Sequence, residues 1–129
     1  DYGSVPNCVY TDPEIASVGL SEVKAKEQGI AVNVGRFAFA ALGKAMCIGE
    51  TQGMVKVIAD AQTDRVLGVG IVGPHATDII AEGVLAVRQG LTAAQVGETI
   101  HAHPTLAEVI GEAMHDVHGR AIHKARLRA

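Results

Sequence analysis

Met54-Val55-Lys56-Val57-Ile58-Ala59-Asp60-Ala61-Gln62-Thr63-Asp64-Arg65-Val66-Leu67-Gly68-Val69-Gly70-Ile71-Val72 decides the fold. Two β-branched runs, Met54 to Ala59 and Val66 to Val72, flank five residues rich in turn formers, which predicts an antiparallel hairpin. In the second run Leu67, Val69 and Ile71 share one face, and Val66, Gly68, Gly70 and Val72 share the other. Both faces are apolar or small, so something should pack on each side. Gly68-Val69-Gly70-Ile71-Val72-Gly73 also matches the spacing G-x-G-x-x-G. Its centre falls inside the strand, however, and a phosphate site would need a helix N-terminus directly after the glycines.

Upstream of the hairpin, Val5 to Thr11 reads as a short strand, Asp12-Pro13-Glu14 as a turn, and Ile15 to Leu20 as a second short apolar run. Ser21 is a suitable N-cap for a helix over Glu22 to Gln28, with Gly29 where a left-handed residue ends it. Residues 31–40 look extended, but apolar parity changes between Val32 and Val34 on one side and Phe37 and Phe39 on the other. A bulge at Gly35 would account for that change. Downstream, three helical patterns follow: one around Ile79, Ile80, Gly83, Val84 and Val87, a short turn after Thr92, and one marked by Leu106, Val109, Ile110, Ala113 and Met114. Strands first and mainly helices after them predict an α+β domain, an antiparallel β-sheet with helices packed on it.

The chain of 129 residues fits a single domain, 1–129, since cores of roughly 100 to 150 residues are the commonest size. An apolar fraction of 48% against 19% charged residues excludes a disordered polar chain. A net charge of −3 from 14 acidic and 11 basic residues leaves no footprint for nucleic acid. The basic cluster Arg120, Lys124, Arg126 and Arg128 is expected to be a solvated helix end. No apolar run approaches the ~20 residues that span a bilayer, so no membrane is expected. Cys8 and Cys47 lack metal or disulfide-motif spacing and are expected to be reduced, buried and structural, in a soluble, reducing compartment. The opening at Asp1 rather than methionine fits a piece of something longer.

Chemistry is sought first in six histidines. Glu112-x-x-His115 has the spacing of a di-iron half-site, but a site of that kind also needs further carboxylates on facing helices, so the expected metal complement is none. His103 differs because of Pro104. Proline lacks an N–H and restricts the residue before it, so His103 should be held outside the following helix and presented from a stiff corner. Glu108 then has two readings. It could orient the imidazole and leave the other ring nitrogen free as a general base. It could equally belong to a capping box in Thr105-Leu106-Ala107-Glu108, with Thr105 as the cap, and spacing alone favours this second reading.

Val5-Pro6-Asn7-Cys8-Val9-Tyr10-Thr11-Asp12-Pro13-Glu14-Ile15-Ala16-Ser17-Val18-Gly19-Leu20, Gly53-Met54-Val55-Lys56 and His101-Ala102-His103-Pro104-Thr105-Leu106-Ala107-Glu108 occur in the order seen in one enzyme family. With these motifs in one register, essentially the whole chain resembles the carboxy-terminal interface domain of the dihydrolipoamide dehydrogenases, among the pyridine-nucleotide disulfide oxidoreductases. Ala107 stands where many relatives carry serine, and no carboxy-terminal cysteine pair of the mercuric reductase type is present. The resemblance implies a homodimerisation domain whose catalytic His103 and Glu108 serve the redox-active disulfide of the partner subunit. It implies FAD and NAD in the full-length enzyme, with His103 and Pro104 close to the partner's flavin and a cis bond before Pro104. No cofactor is expected on this chain alone, which lacks the FAD and NAD domains and the cysteine pair and should be inactive by itself. Implied partners are a second copy and the lipoyl and subunit-binding domains of a 2-oxoacid dehydrogenase complex acyltransferase, in the bacterial cytoplasm or the mitochondrial matrix. The alternative is a non-catalytic module for self-association and docking on such a complex.

Overall fold

The computed structural model describes residues 2–125. Its centre is a five-stranded sheet in the order β1-β2-β5-β4-β3, with every neighbouring pair antiparallel. The strands are β1 (Asn7–Val9), β2 (Glu14–Gly19), β3 (Val32–Ala38), β4 (Met54–Asp60) and β5 (Val66–Gly73). Among the described residues five α-helices accompany them: α1 (Glu22–Glu27), α2 (Gly43–Ile48), α3 (Ala76–Gln89), α4 (Ala93–Gly97) and α5 (Glu108–Asp116). The predicted α+β class and the central hairpin are both present, with Asp60 Oδ1 accepting from the Gln62 and Thr63 amides at 2.8 Å to close the turn.

One face of the sheet is the core. Ala16, Val18, Phe37, Val55, Val57, Val69 and Ile71 are buried there beneath α3, over β2 and β5, and α5, over β3 and β4. α5 supplies Val109, Ile110, Ala113 and Met114, all fully buried, which is the i, i+1, i+4, i+5 stripe that its sequence pattern announces. Burying each of Val109, Ile110 and Met114 stabilises the fold by roughly 1.5–3 kcal/mol before the entropy of ordering is counted. On the other face Ile15, Met54 and Val72 remain partly exposed.

The bulge expected at Gly35 is not there. β3 pairs with β4 without a break from Val32↔Asp60 to Ala38↔Met54. Gly35 and Phe37 face the core, while Val32 and Val34 lie half-buried on the opposite face, so the parity change reflects a strand with apolar residues on both sides. Gly35 is glycine for space: a Cβ there would lie 2.1 Å from Ala113 O of α5 and 2.7 Å from N of Val117, the residue that caps its end. The irregularity sits instead in the hairpin, where Ile58 pairs with Gly68 but Ala59 with Val66. Leu67 is the extra residue, and its carbonyl accepts from Leu20 N at 2.8 Å. The slip moves Val66 onto the core face beside Ala59, correcting the assignment of Val66 to the face of Gly68 and Gly70.

Other boundaries shift for local reasons. The first strand is only three residues long. Ser21 caps α1, accepting from Lys24 N at 3.2 Å, and Gly29 takes φ +70°. Asp12-Pro13 and His103-Pro104 are both cis. Cys47 is exposed and Cys8 half-buried, against the expectation of buried thiols, and both are free. α5 ends at Asp116, so Arg120 and Lys124 lie beyond it rather than on a helix end, and Lys124 Nζ reaches back to Asp116 Oδ2 at 2.6 Å. Arg126 and Arg128 lie outside the described residues.

Candidate active-site dyad on the α4–α5 loop

The loop from Glu98 to Ala107 is tied down at both ends. α4 opens with a reciprocal capping box between Thr92 and Gln95, and Thr99 Oγ1 closes its last turn on Gln95 O at 2.9 Å. At the far end Thr105 Oγ1 donates to Ala102 O at 2.7 Å. Thr105 is therefore not the helix cap, because α5 starts three residues later with Ala107 at its N-cap.

Glu108, on the first turn of α5, contacts the imidazole and also keeps the reach-back bond to the Thr105 backbone, although Thr105 is not the cap that the capping-box reading requires. Its Oε1 lies 2.9 Å from His103 Nδ1, and its Oε2 accepts from Thr105 N at 2.9 Å. One carboxylate oxygen fixes the loop and the other fixes the imidazole. Since an ionised carboxylate only accepts, His103 Nδ1 carries the proton and Nε2 keeps its lone pair. The ring is 75% exposed while Glu108 is 23% exposed. The dyad thus has a shielded anchor and an open working edge.

Burial pushes the Glu108 carboxyl up, but hydrogen bonds from the Thr105 amide and His103, with the nearby His103 and His101 charges, outweigh it and hold it below the ordinary 4.5. A carboxyl depressed in the folded state stabilises the fold above its unfolded value, and that contribution is lost as pH falls through the folded value. The stability difference between the wild-type protein and Glu108→Gln should therefore shrink on acidification below pH 4.5, as followed by denaturant unfolding at a series of pH values. A difference that does not change across that window would contradict this balance of forces.

The sequence reading missed a second His–carboxylate pair beside the first. His101 Nε2 lies 2.7 Å from Glu82 Oε1 of α3, and its ring packs against Gly111 of α5. Nineteen residues separate the pair, so no local spacing signals it. Glu112, the acidic half of the supposed di-iron spacing, is buried and accepts instead from His123 Nδ1 at 2.6 Å and Ile122 N at 2.8 Å. Among the described residues no three His, Cys, Asp or Glu side chains converge as metal ligands. A cleft of about 560 Å³ is lined by residues that include Asp12, Glu14, Glu50 and His75, and the dyad is not among them. Nor do the described residues build a dinucleotide cradle. Gly68 to Gly73 are paired inside β5 and lead through Pro74 and His75 into α3, with no glycine turn against the helix N-terminus.

Residues 5–114 match the family model described as pyridine nucleotide-disulphide oxidoreductase, dimerisation domain. The chain is 53% identical over 119 residues to a dihydrolipoyl dehydrogenase of Bacillus subtilis, covering 92% of this chain and 25% of that protein. It is 48% identical over 113 residues to a mitochondrial dihydrolipoyl dehydrogenase of Caenorhabditis elegans, covering 88% of this chain and 23% of that one. Among solved structures, LpdA from Mycobacterium tuberculosis superposes with a TM-score of 0.83 at 26% identity, over 88% of this chain and 25% of that one. The HOCl-induced flavoprotein disulfide reductase RclA from Escherichia coli gives 0.81 at 27% identity, over 85% and 25%. The chain thus spans about a quarter of the length of the proteins it matches.

Proposed function

The chain belongs to the dimerisation domains of the pyridine nucleotide-disulphide oxidoreductases, and from that premise we propose that it is the dimer-forming part of a dihydrolipoyl dehydrogenase. In this reading His103 is the general acid and base, acting on the redox-active disulfide site of the second subunit. The observation that carries it is the His103–Glu108 contact of 2.9 Å, which leaves Nε2 free on an exposed ring.

The chemistry asks for such a group. A dithiol reduces a disulfide only through its thiolate, so the thiol proton must go to a base as sulfur attacks. Nε2 of His103 takes that proton, and Glu108 steadies the imidazolium that results. One disulfide sulfur bonds to the attacking sulfur, the other leaves as a thiolate, and the His103 proton is available for later return. This chain contributes only the free Cys8 and Cys47, so the disulfide that the base serves belongs to another part of the enzyme, in this reading to the second subunit. FAD and NAD belong to the full-length enzyme and would be held by its other domains, with His103 and cis Pro104 facing the partner's flavin site.

Proposed partners are a second copy and the lipoyl and subunit-binding domains of a 2-oxoacid dehydrogenase complex. The relatives include bacterial and mitochondrial proteins, and among the described residues no helix is long and apolar enough to cross a membrane. Bacterial cytoplasm or mitochondrial matrix follows from that kinship as part of the proposal. The part-exposed Ile15, Met54 and Val72 favour self-association. The purified 129-residue chain should show no lipoamide-dependent reduction of NAD by absorbance at the nicotinamide band. Turnover without added flavoprotein would overturn the division of labour proposed here.

A further inference from the structure

We propose that Glu82 and His101 form an imidazolium–carboxylate clamp that positions the His103–Glu108 dyad, an inference that rests on the base role given to His103 above. The His101 ring has both nitrogens against acceptors: Nδ1 lies 2.9 Å from Thr99 O, and Nε2 lies 2.7 Å from Glu82 Oε1. A backbone carbonyl cannot donate, so Nδ1 must carry a proton. A neutral imidazole then has no proton left for Nε2, and its lone pair would face the carboxylate. The pair therefore holds one proton more than a neutral histidine beside an ionised glutamate. An imidazole is a stronger base than a carboxylate, so the ring is the site that holds it. The ring is 13% exposed and Glu82 30%, which shelters the pair from competing water.

Placement gives the clamp its purpose. His101 precedes His103 by two residues, and the ring of Pro104, which fixes φ, stiffens the segment beyond it. Glu82 of α3 thus holds one end of a three-residue stretch and Glu108 of α5 the other, with the His101 ring seated on Gly111 between them. A Cβ at Gly111 would come within 3.1 Å of His101 Nδ1. The other ionisable groups lining the same hollow are Glu108, Glu112 and His115 from α5 and His123 beyond it. Glu112 is taken up by His123, so Glu82 is the carboxylate that His101 touches. The His101 charge also lies close enough to Glu108 to favour its ionised form.

The test uses the full-length flavoenzyme carrying this domain, with ¹⁵N-labelled histidine. At neutral pH both ring nitrogens of His101 should give protonated signals. In Glu82→Gln the carboxamide can donate to Nε2, so the ring keeps both contacts as a neutral imidazole, and one nitrogen should lose its proton. Glu82→Ala cuts the clamp. It should lower kcat by roughly 10- to 100-fold through misplacement of the base, with KM for the dithiol unchanged. Glu82→Gln should recover most of that loss. A His101 with a single protonated nitrogen in the unmutated enzyme would overturn the assigned charge state, and this measurement needs no variant to fold. A normal kcat in Glu82→Ala would overturn the positioning role. His103→Gln in the same enzyme separates the two readings. If it abolishes turnover while Glu82→Ala does not, the clamp alone fails; if it leaves turnover intact, the base role fails first.

Discussion

Replacing His103 by glutamine in the full-length enzyme should lower turnover with dihydrolipoamide by roughly 10²- to 10⁴-fold, the usual contribution of a positioned general base. Glutamine keeps a polar side chain of similar reach and can still meet Glu108, but its amide nitrogen has no basic lone pair to receive a thiol proton. Because His103 is 75% exposed and makes one side-chain hydrogen bond, the fold loses little. Thermal unfolding and flavin absorbance should therefore match the unmutated enzyme while steady-state rates collapse. Raising the pH should recover part of the rate, since more of the dithiol then ionises without help. A variant with normal turnover would remove the base from the mechanism.

The second large effect is expected at Gly35. A methyl group there would meet Ala113 O at 2.1 Å and Val117 N at 2.7 Å, both backbone atoms of the α5 region that cannot rotate away. Either β3 or α5 must move, and overpacking of this kind costs typically 1–3 kcal/mol, with Gly35→Ala expected at the upper end, about 3 kcal/mol. Since α5 carries Glu108 and the first residues anchoring the dyad loop, turnover should fall together with stability. Gly43→Ala is the matched control, because a Cβ at Gly43 meets nothing within 4 Å. Denaturant unfolding of both variants reads the difference. Equal stabilities would mean that α5 does not sit as tightly on β3 as described.

Gly35 also shows where sequence reading reaches its limit. The parity change around it is a genuine signal, but two arrangements produce the same pattern: a bulge, or a strand with apolar residues on both faces. Only the helix that packs on Gly35, eighty residues further along the chain, decides between them. The bulge at Leu67 is invisible for the complementary reason, since β5 alternates without interruption and the slip is set by Leu20 binding the Leu67 carbonyl. α2 went unread because its six residues lack a side-chain cap and are too short to show a period, while the left-handed Gly49 that ends it resembles any turn glycine. By contrast, the hairpin and α5 are written in local periodicity and read directly.

At the dyad the sequence left a choice between cap and orienting carboxylate because spacing describes residues rather than atoms. Glu108 has two oxygens: one contacts the His103 ring, and the other reaches back to Thr105 N without Thr105 being the cap that the second reading named. His103 stood out through Pro104, a local constraint. His101 did not, because its partner Glu82 lies on a different helix.

The central claim, that His103 completes a site on the other subunit, is tested most directly by mixing two inactive full-length subunits. One carries His103→Gln with its redox cysteines intact; the other keeps His103 but has those cysteines replaced by serine. After dissociation and random reassociation, half of the dimers are hybrids, each with one site that pairs intact cysteines with an intact His103. The account predicts recovery of about a quarter of the unmutated rate, given a symmetric dimer with two cross-subunit sites. A mixture that stays as inactive as its components, while hybrids are shown to form, would place base and disulfide in the same subunit and contradict the account.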